Sequence, residues 1–297
     1  QNSAGIAVRF RSDSPVIAVK WENTFNNSMK HMAPVGIKGL DLYCFIDGKW
    51  RFVNSAQPSG KTNQWQIISG MDATEREYML YLPLYDGIHS LQIGVAAPSH
   101  IGQPSLPYPD TRKPIVFYGS SITQGACASR PGMAATNLIG RKLNVETINL
   151  GFSGNAFIDY EVAEMMAHVD ASAYVLDYVP NASPEQILEK TEKFVRILRE
   201  KHPDVPLIFV EDPIFPHSKF DLRMAKEIKD KNDAMNQAFS SLKKQGLKKI
   251  YLVKGRSLIS ANGESTVDGI HFTDCGFEQY VDAILPILKK AINQKKK

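Results

Sequence analysis

FYGSSITQG, residues 117 to 125, follows a short apolar run and sets two serines and a threonine between two glycines. Ser and Thr are good N-cap residues and Gly is an ordinary loop residue, so the stretch reads as a strand running into a capped helix. It reads equally well as a strand end that presents a serine for attack on an electrophile. The residues around it decide between the two.

Downstream, apolar runs recur: PIVFYG (114–119), VETINLG (145–151), AYVLDY (173–178), PLIFVED (206–212) and KKIYLVK (248–254). Between them lie amphipathic segments such as SPEQILEKTEKFVRILREKH (183–202) and FDLRMAKEIKDKNDAMNQAFSSLKKQ (220–245). Ser183 followed by Pro184, with Gln186 three residues after the serine, predicts a helix start with a capping box. Buried strands alternating with helices imply a parallel sheet covered on both faces, an α/β fold. In such a sheet ligands bind beyond the carboxyl ends of the strands. That rule selects Ser120 and Ser121, Gly151 to Gly154, Asp177 to Asn181, and Glu211 with Asp212.

Upstream, the period changes to two. GIAVRFRSD (5–13) alternates Ile6, Val8 and Phe10 with Ala7, Arg9 and Arg11, and VIAVKWEN (16–23) repeats the theme. Asp47-Gly48 and Asp86-Gly87 each sit between apolar runs, a strong hairpin signal. This part reads as an antiparallel β-sandwich with Trp21, Trp50 and Trp65 in its core. The proline-rich stretch APSHIGQPSLPYPDTRKP (97–114) reads as a stiff linker, which gives domains at 1–108 and 109–297.

The 297 residues suffice for two buried cores, and 43% hydrophobic with 22% charged residues is an ordinary globular composition. The net charge of +4 is partly carried by KKAINQKKK (289–297), which reads as a solvated helix end. Basic stripes interleaved with aromatics are missing, which excludes the nucleic-acid-binding class. No apolar run reaches the length of a membrane span. Cys44, Cys127 and Cys275 are too few and too scattered for a zinc motif or a disulfide framework, and a pairing of Cys127 with Cys275 stays open.

A serine nucleophile needs a base, a group that orients the base, and donors aimed at the developing oxyanion. VDGIHFTD (267–274) supplies Asp268 and His271 at a spacing of three, close enough for the carboxylate to fold back on the imidazole. The backbone N–H groups of Ser121 and Gly154 and the side-chain amide of Asn181 fall where the sheet rule places ligands. Taken singly, Ser121 reads as a cap, His271 as a structural histidine and Asp268-Gly269 as a turn. Their joint order and strand-end placement favour a hydrolase site. Arg130, in CASRPGMA (127–134), is open between a substrate contact and a structural role, as are Glu211 and Asp212 between lining a pocket and tying down a loop.

These residues resemble the blocks of the SGNH, or GDSL-type, hydrolases. YGSSITQG resembles the first block, NLGFSGN the second, DYVPN the third in weakened form, and DGIHFTDCGF the fifth, in the family's order across residues 113–297. Ser120 stands where an acidic residue usually precedes the nucleophile, and the third block lacks the common glycine.

The resemblance implies a three-layer α/β/α domain in which Ser121 is the nucleophile, His271 the base and Asp268 its partner. Ser121, Gly154 and Asn181 would form the oxyanion hole, with no metal or cofactor. It is nearest to two-domain bacterial members whose β-sandwich, jelly-roll-like, precedes the hydrolase domain, as in carbohydrate acetyl esterases. From that follow a small acylated substrate, preferably an acetylated carbohydrate, a secreted or periplasmic location, and further residues upstream of the N-terminal strand in a longer precursor. The alternatives are a lipid or thioester hydrolase, against which the lack of a long apolar lid speaks, and a non-catalytic carbohydrate-binding protein.

Overall fold

A computed structural model of the chain describes residues 2–106 and 113–293. The first part of the chain runs β1 (Ala7–Ser12), β2 (Ile17–Asn23), α1 (Pro34–Lys38), β3 (Leu40–Ile46), β4 (Lys49–Ala56), β5 (Thr62–Ile68), β6 (Arg76–Tyr81), β7 (Ile88–Val95) and β8 (Ile101–Gly102). There follow β9 (Ile115–Gly119), α2 (Ser121–Gln124), α3 (Ala135–Leu143), β10 (Thr147–Gly151), α4 (Tyr160–Met166) and β11 (Ala173–Asp177). The chain ends with α5 (Pro184–Lys201), β12 (Leu207–Val210), α6 (Leu222–Lys244), β13 (Ile250–Val253) and α7 (Asp274–Asn293). By internal contacts these elements form two compact units, Gln1–Asp110 with Gly125–Asn144, and Thr111–Gln124 with Val145–Lys297.

The first unit holds two antiparallel sheets, ordered β4-β3-β6-β1-β8 and β5-β2-β7, as the period-two pattern requires. Ile17, Val19 and Trp21 alternate inward on β2 and meet Leu40, Leu42, Tyr78 and Leu80 of the facing sheet. Trp21 is fully buried with its indole N–H on the Lys38 carbonyl at 3.1 Å, and Trp65 packs against the same core. Trp50 instead packs with Tyr43, Met79 and Tyr81, a separate cluster on the same unit.

Asp47 and Gly48, both at positive φ (52° and 72°), close the β3–β4 hairpin. Asp86-Gly87 makes no hairpin: the strands around it, β6 and β7, lie in different sheets. Asp86 is buried, and its carboxylate accepts the N–H groups of Phe25 (2.9 Å), Asn27 (2.8 Å) and Gly87 (2.8 Å). Its turn-like sequence reflects an acceptor for loop donors. The start of the proline-rich stretch is also tied in, since β8 pairs with β1 and Glu77 accepts from Ser105 and Leu106. Residues 107–112 of that stretch lie outside the described residues.

The second unit is a five-stranded parallel sheet ordered β10-β9-β11-β12-β13 and flanked by helices. Side chains of one parity, among them Tyr118, Tyr174, Leu176 and Phe209, bury one face against α4, α5 and α6. On the other parity Asp177 meets α7 through Tyr280, and α7 packs along β11 and β13. Ser183 and Gln186 form the expected capping box of α5. Register decides the rest: Gly119 stands level with Gly151 on one side and Asp177 on the other. Three of the sequence blocks therefore end at one height of the sheet, at its carboxyl edge.

Candidate active site

Ser121 is the first residue of α2, directly after β9, and is buried. The turn into α2 is tight. A Cβ on Gly119 would stand 2.2 Å from Thr123 Oγ1 and 2.7 Å from the Asp177 carbonyl, and one on Gly151 would stand 2.2 Å from the Gln124 nitrogen. Only glycines let these strand ends approach the serine helix so closely. Asn149 Nδ2 donates to the Thr123 carbonyl (2.8 Å), and the Ser153 N–H donates to Gln124 Oε1 (3.1 Å). The NLGFSGN block thus fastens the short helix, which is too short to hold itself.

His271 arrives on a loop closed by an antiparallel bridge between Thr266 and Phe272, with the Val267 N–H on the His271 carbonyl at 2.8 Å. Phe272, fully buried against Phe277 and Tyr280, anchors that loop, and Thr273 caps α7 through the Gly276 N–H at 3.2 Å. The HFTDCGF segment is thus a core anchor and a helix cap placed directly after the imidazole.

Ser121 Oγ lies 2.9 Å from His271 Nε2, and His271 Nδ1 lies 2.7 Å from Asp268 Oδ2. Asp268 Oδ1 also accepts the N–H groups of Ile270 (3.1 Å) and His271 (2.8 Å), so an Asx turn fixes the carboxylate. Partial burial pushes the Asp268 carboxyl up, but the hydrogen bonds from the His271 ring and the two N–H groups outweigh it and hold the pKa at about 2. With the carboxylate on Nδ1, the neutral imidazole carries its proton there and offers Nε2 as an acceptor to the Ser121 hydroxyl.

Gly154 sits at φ 68° in a turn closed by the Asn155 N–H on the Phe152 carbonyl (2.9 Å), and its own N–H has no partner among the described residues. Asn181 Oδ1 accepts the Ala156 N–H at 3.3 Å, which leaves Nδ2 as the end of the carboxamide free to donate. The Gly154 loop therefore orients the Asn181 amide. All five residues singled out in the sequence belong to the second unit.

Beneath the serine helix the structure adds a group that sequence reading placed only at a strand end. Asp177 Oδ2 accepts from Thr123 Oγ1 (2.8 Å) and Tyr280 Oη (2.7 Å). Complete burial raises its pKa to about 7 in spite of these two donors. Glu211 ties down a loop, accepting from the Gly255 N–H (2.8 Å) and Asn236 Nδ2 (2.7 Å). Asp212 is buried with Oδ1 unpartnered among the described residues; burial raises its pKa to about 7 against the opposing charge of Lys231.

In the first unit Arg130 is structural. Its Nη1 donates to Asp41 Oδ2 (2.7 Å) and Tyr43 Oη (2.6 Å), and its guanidinium lies 3.8 Å from the Phe52 ring centroid. Asp41 is fully buried and also takes the Gly132 N–H at 2.8 Å. Cys44 and Cys127 are buried, Cys275 is exposed, and none of the three forms a disulfide.

A model of the GDSL-like lipase/acylhydrolase family matches residues 112–289. The chain belongs to this family. A second family model, GxDLY, the N-terminus of SGNH-hydrolase-type esterases, matches residues 1–101. The motif of that name reads Gly39-Leu40-Asp41-Leu42-Tyr43 here, which makes the Asp41 and Tyr43 partners of Arg130 part of it. Sequence reading had passed over it because it fits an ordinary strand pattern.

Among solved structures this GDSL-family chain is similar to a candidate GDSL-like lipase from Bacteroides ovatus, with 41% identity, 98% of this chain and 86% of that one covered, and a TM-score of 0.94. It shares its fold with a salicylyl-acyltransferase of a tetracycline biosynthetic pathway, at 18% identity, 97% and 83% coverage and a TM-score of 0.76. It also shares it with a family two carbohydrate esterase from Clostridium thermocellum, at 12% identity, 98% and 94% coverage and a TM-score of 0.68. No curated protein is significantly similar to the chain. Among the described residues no helix is long and apolar enough to cross a membrane.

Proposed function

We propose that this family member is a serine esterase acting on short acyl esters, preferably acetyl esters of a carbohydrate. The observation that carries the reading is the continuous series Ser121 Oγ, His271 Nε2, His271 Nδ1, Asp268 Oδ2, with steps of 2.9 and 2.7 Å. Ser121 Oγ attacks the ester carbonyl carbon while its proton passes to His271 Nε2. The negative charge on the former carbonyl oxygen is met by the N–H groups of Ser121 and Gly154 and by Asn181 Nδ2. Collapse breaks the bond to the alcohol, which leaves with the proton from His271, and the acyl group stays on Ser121. Water then enters through the same base, releasing the acid and restoring Ser121. Asp268 stays ionised throughout and stabilises the imidazolium, consistent with its depressed pKa.

A short acyl group on a sugar is supported by the shared two-part fold of the carbohydrate esterases from Clostridium thermocellum and Cellvibrio japonicus. The relationship to the Bacteroides ovatus protein favours a second reading, a lipid ester substrate. The two readings part on acyl length. Acetate release from acetylated oligosaccharides, with p-nitrophenyl acetate turned over faster than the butyrate and decanoate and all activity lost in Ser121→Ala, is the expected result. A preference for decanoate would move the assignment to lipids, and wild-type-like turnover by Ser121→Ala would overturn the serine mechanism.

A further inference from the structure

Lys231 of α6 is buried, with a side chain only 10% exposed, although a lysine on a surface helix normally leads its ammonium to water. Its Nζ pairs with Glu227 one turn earlier at 2.6 Å, and Glu227 is 55% exposed. Such an i,i+4 pair with an exposed partner contributes little and forms as well in water, so it does not account for the burial. The second partner does. Nζ donates to the Pro180 carbonyl at 3.0 Å, and Pro180 directly precedes Asn181.

The turn that carries Asn181 is also held by its own backbone, and the Asn181 amide by the Ala156 N–H on Oδ1 at 3.3 Å. The N–H groups of Asn181 and Ala182 return to the Tyr178 carbonyl at 3.0 and 3.1 Å, and Tyr178 Oη meets Thr191 Oγ1 at 3.0 Å. Pro180 has no N–H to offer, so its carbonyl is the group through which the middle of the turn can be gripped. The third sequence block, weak as a family motif here because it lacks the common glycine, receives in this chain an external clamp from α6. The Lys231 charge is also felt by the buried Asp212 carboxyl, which it pulls down against the effect of burial.

We propose that Lys231 is a positioning residue for the oxyanion site: by holding the Pro180 carbonyl it fixes where Asn181 Nδ2 points. The proposal rests on the esterase reading, with Asn181 as an oxyanion donor. A donor displaced by about 1 Å costs on the order of 100-fold in rate, and a lost oxyanion donor about 100- to 1,000-fold.

The test is a double-mutant cycle on p-nitrophenyl acetate with Lys231→Met and Asn181→Ala, once Ser121→Ala has shown that turnover is the site's own. Lys231→Met is expected to lower kcat about 10- to 100-fold with KM nearly unchanged, and Lys231→Arg, which keeps a charged donor, to recover part of it. In the Asn181→Ala background Lys231→Met is expected to have almost no further effect. Losses that multiply in the cycle, or a fall in thermal stability with kcat intact, would overturn the role. A crystal structure of Lys231→Met reads the same claim without turnover. A displaced Pro180 carbonyl and a rotated Asn181 amide support it, and an unmoved Asn181 contradicts it whatever the substrate proves to be.

Discussion

At the residue scale the site is a matter of three hydrogen-bonded side chains and the groups that hold them still. Asp268→Asn keeps the shape of the Asx turn but removes the charge that fixes the His271 tautomer. The account predicts a kcat about 1,000- to 10,000-fold lower with KM little changed, read from steady-state kinetics. Thr123→Val removes one of the two donors to the buried Asp177 at constant shape, leaving part of that carboxyl unsatisfied. A loss of about 1–3 kcal/mol in denaturant unfolding is expected. Ser121, His271 and Asp268 were legible in the sequence because two of them share one short segment and the third follows an apolar run. Lys231 was not: it stands among other lysines on α6, and nothing local marks the one whose ammonium turns inward. Tyr280 was hidden likewise, since an aromatic on an amphipathic helix reads simply as core.

At the scale of elements, the parallel strands were plain because fully buried strands are continuous apolar runs, and α5 was plain because its capping box is written in its first residues. Asp86-Gly87 misled because a buried aspartate that collects backbone donors has the same local sequence as a hairpin turn. The Asp41 motif was missed for a related reason, since an aspartate inside an alternating strand gives no sign of the arginine it binds far along the chain. That pair bears on the first unit, where β3 is joined to the 130–132 loop. Asp41→Ala leaves the Arg130 guanidinium without its buried carboxylate and is expected to destabilise by about 3–5 kcal/mol. Thermal unfolding of the variant checks it, and an unchanged transition would show that the pair contributes little.

Over the whole molecule, charge buried in the second unit gives stability a pH dependence of known sign. Asp177 and Asp212 both have folded-state pKa values raised to about 7, above the ordinary carboxylate value of about 3.9. The unfolded chain therefore releases these protons first, and the stability present below about pH 4 is lost as pH rises through about 7. Asp268 acts oppositely, its contribution being present above about pH 4 and lost as pH falls through about 2. Asp212→Asn should flatten the decline of Tm between about pH 4 and 8, and a decline as steep as that of the wild type would show that Asp212 does not carry it. The central claim, that Ser121 is activated by His271, is tested most directly by intact-mass and peptide mapping after exposure to a small fluorophosphonate, which needs an activated serine but no knowledge of the natural substrate. The account predicts one adduct, on Ser121, that disappears in His271→Ala. Folded wild-type protein that stays unlabelled while a known serine esterase reacts alongside it would contradict the claim and leave FYGSSITQG a strand running into a capped helix.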